Sequence, residues 1–205
     1  NPNAPTGLAL PLEQVEAIVA ADPSHVVVVD EAYVDFGADS AVSLLDKYDN
    51  LLVVMTYSKS RSMAGARLGF ALGSRAIIED LEKLKYSTNP YNVNRLTLKL
   101  GEAAVDADAY FRENARRIMA TRTKTMAALR QLGFTMPDSQ ANFIFITHPK
   151  LDGEQFYHQC KDRGILIRHF SDPAIAQYNR VTIGTEDEMA VFVQTAREIL
   201  AEEGA

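Results

Sequence analysis

Apolar residues change their spacing along the chain, and the changes mark its elements. Leu12, Val15, Ile18 and Val19 share one helical face behind Pro11, which is tolerated at a first helical position, so a helix is expected over 11–21. Asp22-Pro23-Ser24 breaks it. The run 26–29 is then β-branched throughout, without polar alternation, as in a parallel strand buried on both faces. A second apolar run covers 51–55, and 68–72 reads as another short strand. Ser74 is placed to cap a helix through about Lys85, and the turn-rich segment 86–94 leads to a helix over 95–105.

Tyr110, Phe111, Ile118, Met126 and Leu129 are among the apolar positions of a long amphipathic stretch, 107–132, with Gly133 where a helix C-terminal cap belongs. This stretch is expected to join two domains. A strand at 143–147, a helix at 153–163, strands at 165–170 and 180–183, and a last helix opened by a Thr185/Glu188 capping-box pattern make a second, smaller α/β layer. The pattern predicts an α/β protein divided into 1–105 and 106–205: part of a larger domain with a mostly parallel sheet and helices, then a smaller α/β domain.

Composition narrows the function classes. The 205 residues, 47% of them apolar, suffice for a sizeable core. A net charge of −6 with scattered basic residues argues against a nucleic-acid surface. The single cysteine, Cys160, excludes an internal disulfide and fits a reducing, cytoplasmic setting. No run approaches the roughly 20 apolar residues that span a bilayer. The chain opens without methionine on the turn-rich Asn1-Pro2-Asn3-Ala4-Pro5-Thr6-Gly7, so a carboxyl-terminal fragment lacking its upstream part is expected.

The candidate chemistry centres on Thr56-Tyr57-Ser58-Lys59-Ser60-Arg61-Ser62-Met63-Ala64-Gly65-Ala66-Arg67-Leu68-Gly69-Phe70. In α/β sheets ligands sit beyond the carboxyl ends of strands; Asp30 and Tyr33 follow one predicted strand, and Thr56 to Lys59 follow the next. A lysine there can attack a carbonyl once its amine is unprotonated. Arg67, Thr56 and Ser58 supply donors for a phosphate ester. A pyridine aldehyde phosphate needs a lysine, a carboxylate for its ring nitrogen, partners for its phenolic oxygen and a phosphate anchor. Lys59, Asp30, Tyr33 with Asn3, and Arg67 with Thr56 and Ser58 meet these needs. The competing readings are a solvated lysine, a turn carboxylate at Asp30, packing at Tyr33 and turn formation at Asn3.

The order Asn3-x-Pro5-Thr6-Gly7, Asp30-Glu31-Ala32-Tyr33, Ser58-Lys59 and Arg67-Leu68-Gly69-Phe70 resembles the fold type I aminotransferases that use pyridoxal 5′-phosphate. DEAYVDF, YSKSRSMAGARLGF, SQANFIFI, GILIRHF and RVTIGT resemble the histidinol-phosphate branch, and the resemblance runs over the whole chain. It implies that Lys59 holds the cofactor and moves the substrate proton, that Asp30 pairs with the ring nitrogen, and that Tyr33 meets the phenolic oxygen. It further implies that Thr56, Ser58 and Arg67 hold the cofactor phosphate, that Arg180 and Arg168 hold the substrate anion, and that Asn142 lines the pocket. For the arginines the alternative is a rim ion pair, and for Asn142 strand-edge hydrogen bonding. Ala4 stands where many relatives carry asparagine, so Asn3 must serve or that contact is lost. The implied reaction is amino transfer between glutamate and imidazole-acetol phosphate in a homodimer. An aromatic or broad aminotransferase, a threonine-phosphate decarboxylase and a non-catalytic folded fragment remain alternatives.

Overall fold

A computed structural model describes residues 1–204. The chain forms two compact units, one made of residues 1–2 and 9–115, the other of 3–8 and 116–205.

In the first unit, helix α1 (Leu12–Ala21) begins one residue after Pro11 and buries Val15 and Val19. Strands β1 (Val27–Asp30) and β2 (Leu51–Thr56) run parallel, and β3 (Gly69–Gly73) pairs antiparallel with β2, giving the order β1-β2-β3. The sheet is therefore mixed where a mostly parallel one is predicted. Its core joins α1 to Val29, Leu51, Val53 and the 3₁₀ turn Ala41–Leu44. On the opposite face Val28 is 57% exposed although its register partner Leu52 is buried, and on the core face Phe70 and Leu72 of the edge strand β3, partners of Met55 and Val53, are exposed. The expectation that 26–29 is covered on both faces thus fails at Val26 and Val28, because α1 and the 3₁₀ turn cover the side of Val27 and Val29. Helices α2 (Arg75–Thr88) and α3 (Arg95–Asp106) follow. Ser74 occupies the position before α2 but makes no capping hydrogen bond, whereas the Asn94 side chain accepts from the Thr97 amide at the start of α3.

The long predicted helix starts one residue later, as α4 (Asp108–Gln131), after a break at Ala107. An aspartate favours a helix N-terminus, which suits Asp108 to the restart.

The second unit holds an antiparallel sheet in the order β4-β6-β5: β4 (Phe143–Ile146), β5 (Arg168–His169) and β6 (Asn179–Thr182). Helices α5 (Gly153–Asp162) and α6 (Glu186–Glu202) join α4 around a core that includes Leu129, Ile144, Phe156, Cys160, Phe192 and Ile199. The strand expected over 165–170 shrinks to two residues; Leu166 is 79% exposed and contributes no buried face. Gly133 adopts φ +90° after α4, with the Phe134 amide donating back to the Leu129 carbonyl at 3.1 Å, the closing bond of a glycine-terminated helix. The Thr185/Glu188 capping box forms as the pattern predicts.

Candidate active site

The parallel register pairs Asp30 with Val54 and so brings the carboxyl ends of β1 and β2 side by side. Both following loops therefore leave the sheet at the same end. In the first, the Asp30 carboxylate accepts from the Ala32 amide at 2.9 Å and the Asp30 carbonyl accepts from the terminal amine of Asn1 at 2.6 Å. Tyr33 precedes the 3₁₀ turn Val34–Phe36, which is anchored by the burial of Val34 and Phe36. Glu31, 2% exposed, accepts from the Ser40 hydroxyl and from the Ala41 amide, each at 2.6 Å. Burial pushes its carboxyl above the usual range, against the lowering effect of those two bonds.

The second loop joins β2 to β3 across the pair Thr56–Gly69. Amides close it internally: Tyr57 donates to Leu68 at 3.1 Å, Met63 to Tyr57 at 3.0 Å and Ser62 to Lys59 at 3.1 Å. The Thr56 hydroxyl accepts from the Ser58 amide at 3.0 Å, so the two hydroxyl residues share one turn. Lys59 is exposed, and its Nζ stands 5.5 Å from the centre of the Tyr33 ring. Arg67, also exposed, donates from Nη1 to the Ala64 carbonyl at 3.0 Å. Ser62 and Arg67, both at φ +55°, are the non-glycine residues with positive φ among the described residues, and both lie in this loop. Backbone strain gathers at functional sites more than elsewhere.

Lys59 is followed by two anchored side chains. The Ser60 hydroxyl donates to the Asp35 carboxylate. Arg61 donates from Nη2 to Asp108 at 2.6 Å, and its guanidinium lies 5.3 Å from the Phe111 ring. The buried Arg61 Nη1 has no hydrogen-bond partner among the described residues. Hydrogen bonds from Arg112 and then Arg61 hold the Asp108 carboxyl below its ordinary range.

The structure thus brings Tyr33 and Lys59 together and sets Thr56, Ser58 and Arg67 on one loop. Asn3, Asn142, Arg168 and Arg180 belong to the second unit. There the Asn3 carboxamide accepts from the Thr6 hydroxyl at 2.7 Å, a turn-forming use. The loop is held by the Gln140 amide donating to the Gly7 carbonyl, and at Gly7, φ +75°, a Cβ would stand 2.3 Å from Ser139 Oγ. The Asn142 carbonyl accepts from the Ile183 amide at 2.9 Å, extending the β4–β6 pairing by one position. Arg168 and Arg180 are register partners on β5 and β6, and neither forms an ion pair among the described residues. Each guanidinium lies near a ring instead, Arg168 at 5.5 Å from Phe170 and Arg180 at 5.0 Å from Phe143. Like charges placed opposite each other repel, so this pair favours an anion.

Sequence reasoning passed over Glu31, Asp35, Ser60, Arg61 and Asp108. For Glu31 a signal exists: alternation from Val27 and Val29 carries position 31 to the core side, where a carboxylate needs donors. The others depend on long-range pairing that no local pattern shows.

The family described as aminotransferase class I and II matches residues 1–195. The histidinol-phosphate aminotransferase of Brachyspira hyodysenteriae is 49% identical over 201 residues, which are 98% of this chain and 57% of that protein. The chain spans little more than half the length of the curated relatives it matches. A histidinol-phosphate aminotransferase from Sinorhizobium meliloti, solved in complex with pyridoxal-5′-phosphate, superposes with a TM-score of 0.86 at 23% identity, over 98% of this chain and 56% of that one. The L-threonine-O-3-phosphate decarboxylase of Porphyromonas gingivalis superposes with a TM-score of 0.85 at 20% identity, over 98% and 63%. At these identities the two structures speak for the fold alone.

Proposed function

The chain belongs to the class I and II aminotransferase family, and on that premise we propose that it carries the lysine-bearing part of a histidinol-phosphate aminotransferase, moving an amino group between glutamate and imidazole-acetol phosphate. The curated relative at 49% identity supports this substrate pair over the decarboxylase alternative, whose support is a likeness of fold. The single observation that carries the reading is the Lys59 amine facing the Tyr33 ring, on loops that leave adjacent parallel strands at the same end.

The donor set fits pyridoxal 5′-phosphate: an exposed primary amine, a phenol beside it, a carboxylate at the neighbouring strand end, and an arginine held at positive φ next to two hydroxyl residues. When bound, this cofactor supplies the electron sink that makes a substrate α-proton acidic. Lys59 Nζ would hold the cofactor aldehyde carbon and later carry the proton at the substrate α-carbon. The Asp30 carboxylate would keep the ring nitrogen protonated, and the Tyr33 hydroxyl would donate to the phenolic oxygen. Thr56, Ser58 and Arg67 would bind the phosphate. Asn3 is the weakest member, since its carboxamide already serves its own turn. In this reading 1–105 is the cofactor-bearing division and 106–205 the smaller domain, in which Arg168 and Arg180 hold the substrate anion and Asn142 lines the pocket. The chain acts as a cytoplasmic homodimer, supported by exposed Leu84, Leu96, Leu98, Leu100 and Val105 on α2 and α3. No helix among the described residues is long and apolar enough to cross a membrane.

The test is borohydride reduction of the protein with pyridoxal 5′-phosphate, followed by peptide mass analysis. A single stoichiometric adduct on Lys59, absent from Lys59→Ala, is expected, with amino transfer from glutamate exceeding that from phenylalanine. Labelling spread across surface lysines, in this chain and in a full-length relative alike, would sink the reading.

A further inference from the structure

We propose that Asp35, acting through Ser60, is a positioning residue for the Lys59 amine. The inference rests on the function proposed above and names a group outside the residues already assigned to cofactor or substrate. Ser60 immediately follows Lys59, and its hydroxyl donates to Asp35. Asp35 lies two residues after Tyr33, in a 3₁₀ turn whose flanking Val34 and Phe36 are 5% and 1% exposed. The carboxylate therefore stands on a rigid point, although it is itself exposed to solvent. Lys59, by contrast, sits in a loop with no buried side chain from Thr56 to Leu68 and with strained backbone at Ser62 and Arg67.

Two contacts then join the same pair of loops one or two residues apart: Lys59 Nζ to the Tyr33 ring, and Ser60 Oγ to Asp35. The first involves a long, flexible side chain and gives little directional constraint. The second is a charge-assisted hydrogen bond between two short side chains, so it fixes the backbone at Ser60 and with it the direction in which Lys59 leaves the chain. Asp35 sets where the amine can reach; it takes no part in the proton transfer.

The experiment measures the rate at which pyridoxal 5′-phosphate is trapped on Lys59 by borohydride, peptide by peptide, with the other lysines as internal standards. Ser60→Ala and Asp35→Ala are each expected to slow trapping at Lys59 about fivefold, the double variant to be no slower than either single one, and Ser60→Thr to restore the rate. Adducts at the other lysines and the melting temperature should stay at wild-type values. Ser60 lies in a loop with no buried side chain, so its variants remain informative if Asp35→Ala folds poorly. Single-variant rates within twofold of wild type, multiplicative effects in the double variant, or equal slowing at every lysine would overturn the proposal. If wild type shows no preference for Lys59, the functional reading falls and this inference with it; if wild type is selective and the variants match it, only this inference falls.

Discussion

Replacing Glu31 separates the hydrogen bonds of a buried carboxylate from its charge. The carboxylate accepts from the fixed Ala41 amide and from the rotatable Ser40 hydroxyl, and Ser40 Oγ also accepts from the Val42 amide at 3.2 Å. In Glu31→Gln the amide oxygen can face Ala41 while its NH₂ donates to Ser40 Oγ, because a hydroxyl can exchange roles. Both links survive, the cost of burying charge disappears, and stability should change by less than about 1 kcal/mol. Glu31→Ala strands a buried amide, at about 1–3 kcal/mol, and deletes one buried methylene at about 0.8 kcal/mol, so a loss of about 2–4 kcal/mol is expected. Urea unfolding near neutral pH checks both values. A second readout is pH. The folded carboxyl titrates above its ordinary value of 4.5, so protonation favours the folded state. The extra stability of wild type over Glu31→Gln is fully present below 4.5 and is lost as pH rises through the folded value. Equal losses in the two variants, or a wild-type-to-Gln difference that ignores pH, would refute the reasoning.

Two other buried groups give independent checks. His148, 8% exposed, accepts the Lys150 amide on Nδ1 and is pushed below its ordinary value of 6.5, chiefly by burial; its contribution is fully present above 6.5 and lost as pH falls through the folded value, so a melting series from pH 8 to 5 should decline more in wild type than in His148→Gln. Burial pushes the Cys160 thiol up to about 12, and the side chain is fully buried, so iodoacetamide should leave it intact in the folded protein at pH 8 and alkylate it after urea unfolding; rapid labelling of the folded protein would contradict this placement.

Where local rules act alone, the fold was legible in the chain. The glycine after α4 and the Thr185/Glu188 pair depend on neighbours within a few residues and form as read, as does the face Leu12, Val15 and Val19, whereas Ile18, read onto that face, is 53% exposed. The face exposed by Val28 was not legible, since a β-branched run states what a strand can bury and not how many layers the chain supplies to bury it. The break between the helices at 95–105 and 107–132 was legible but falls one residue later, at Ala107, where the restart at Asp108 is tied to Arg61, 47 residues away. At the candidate site the types of residue were legible as chemistry. The support beneath them, Glu31 to Ser40 and Asp35 to Ser60, was not, because it joins segments whose proximity exists only after folding.

The loop after β2 argues in the same direction from its own backbone. A non-glycine residue held at positive φ costs on the order of 1–2 kcal/mol. Gly65 lies in this loop, yet the left-handed positions are occupied by Ser62 and Arg67. Glycine at 67 would relieve the strain without disturbing the hydrogen bonds that the Tyr57 and Met63 amides donate to close the loop, since those involve other residues. What glycine cannot supply is the guanidinium, whose hydrogen bond among the described residues, from Nη1 to the Ala64 carbonyl, leaves other donors for a ligand. The strain is therefore carried for the side chain rather than for the turn. An arginine held in this way beside Thr56, Ser58 and Lys59 is suited to an anion, in keeping with the phosphate role proposed for it.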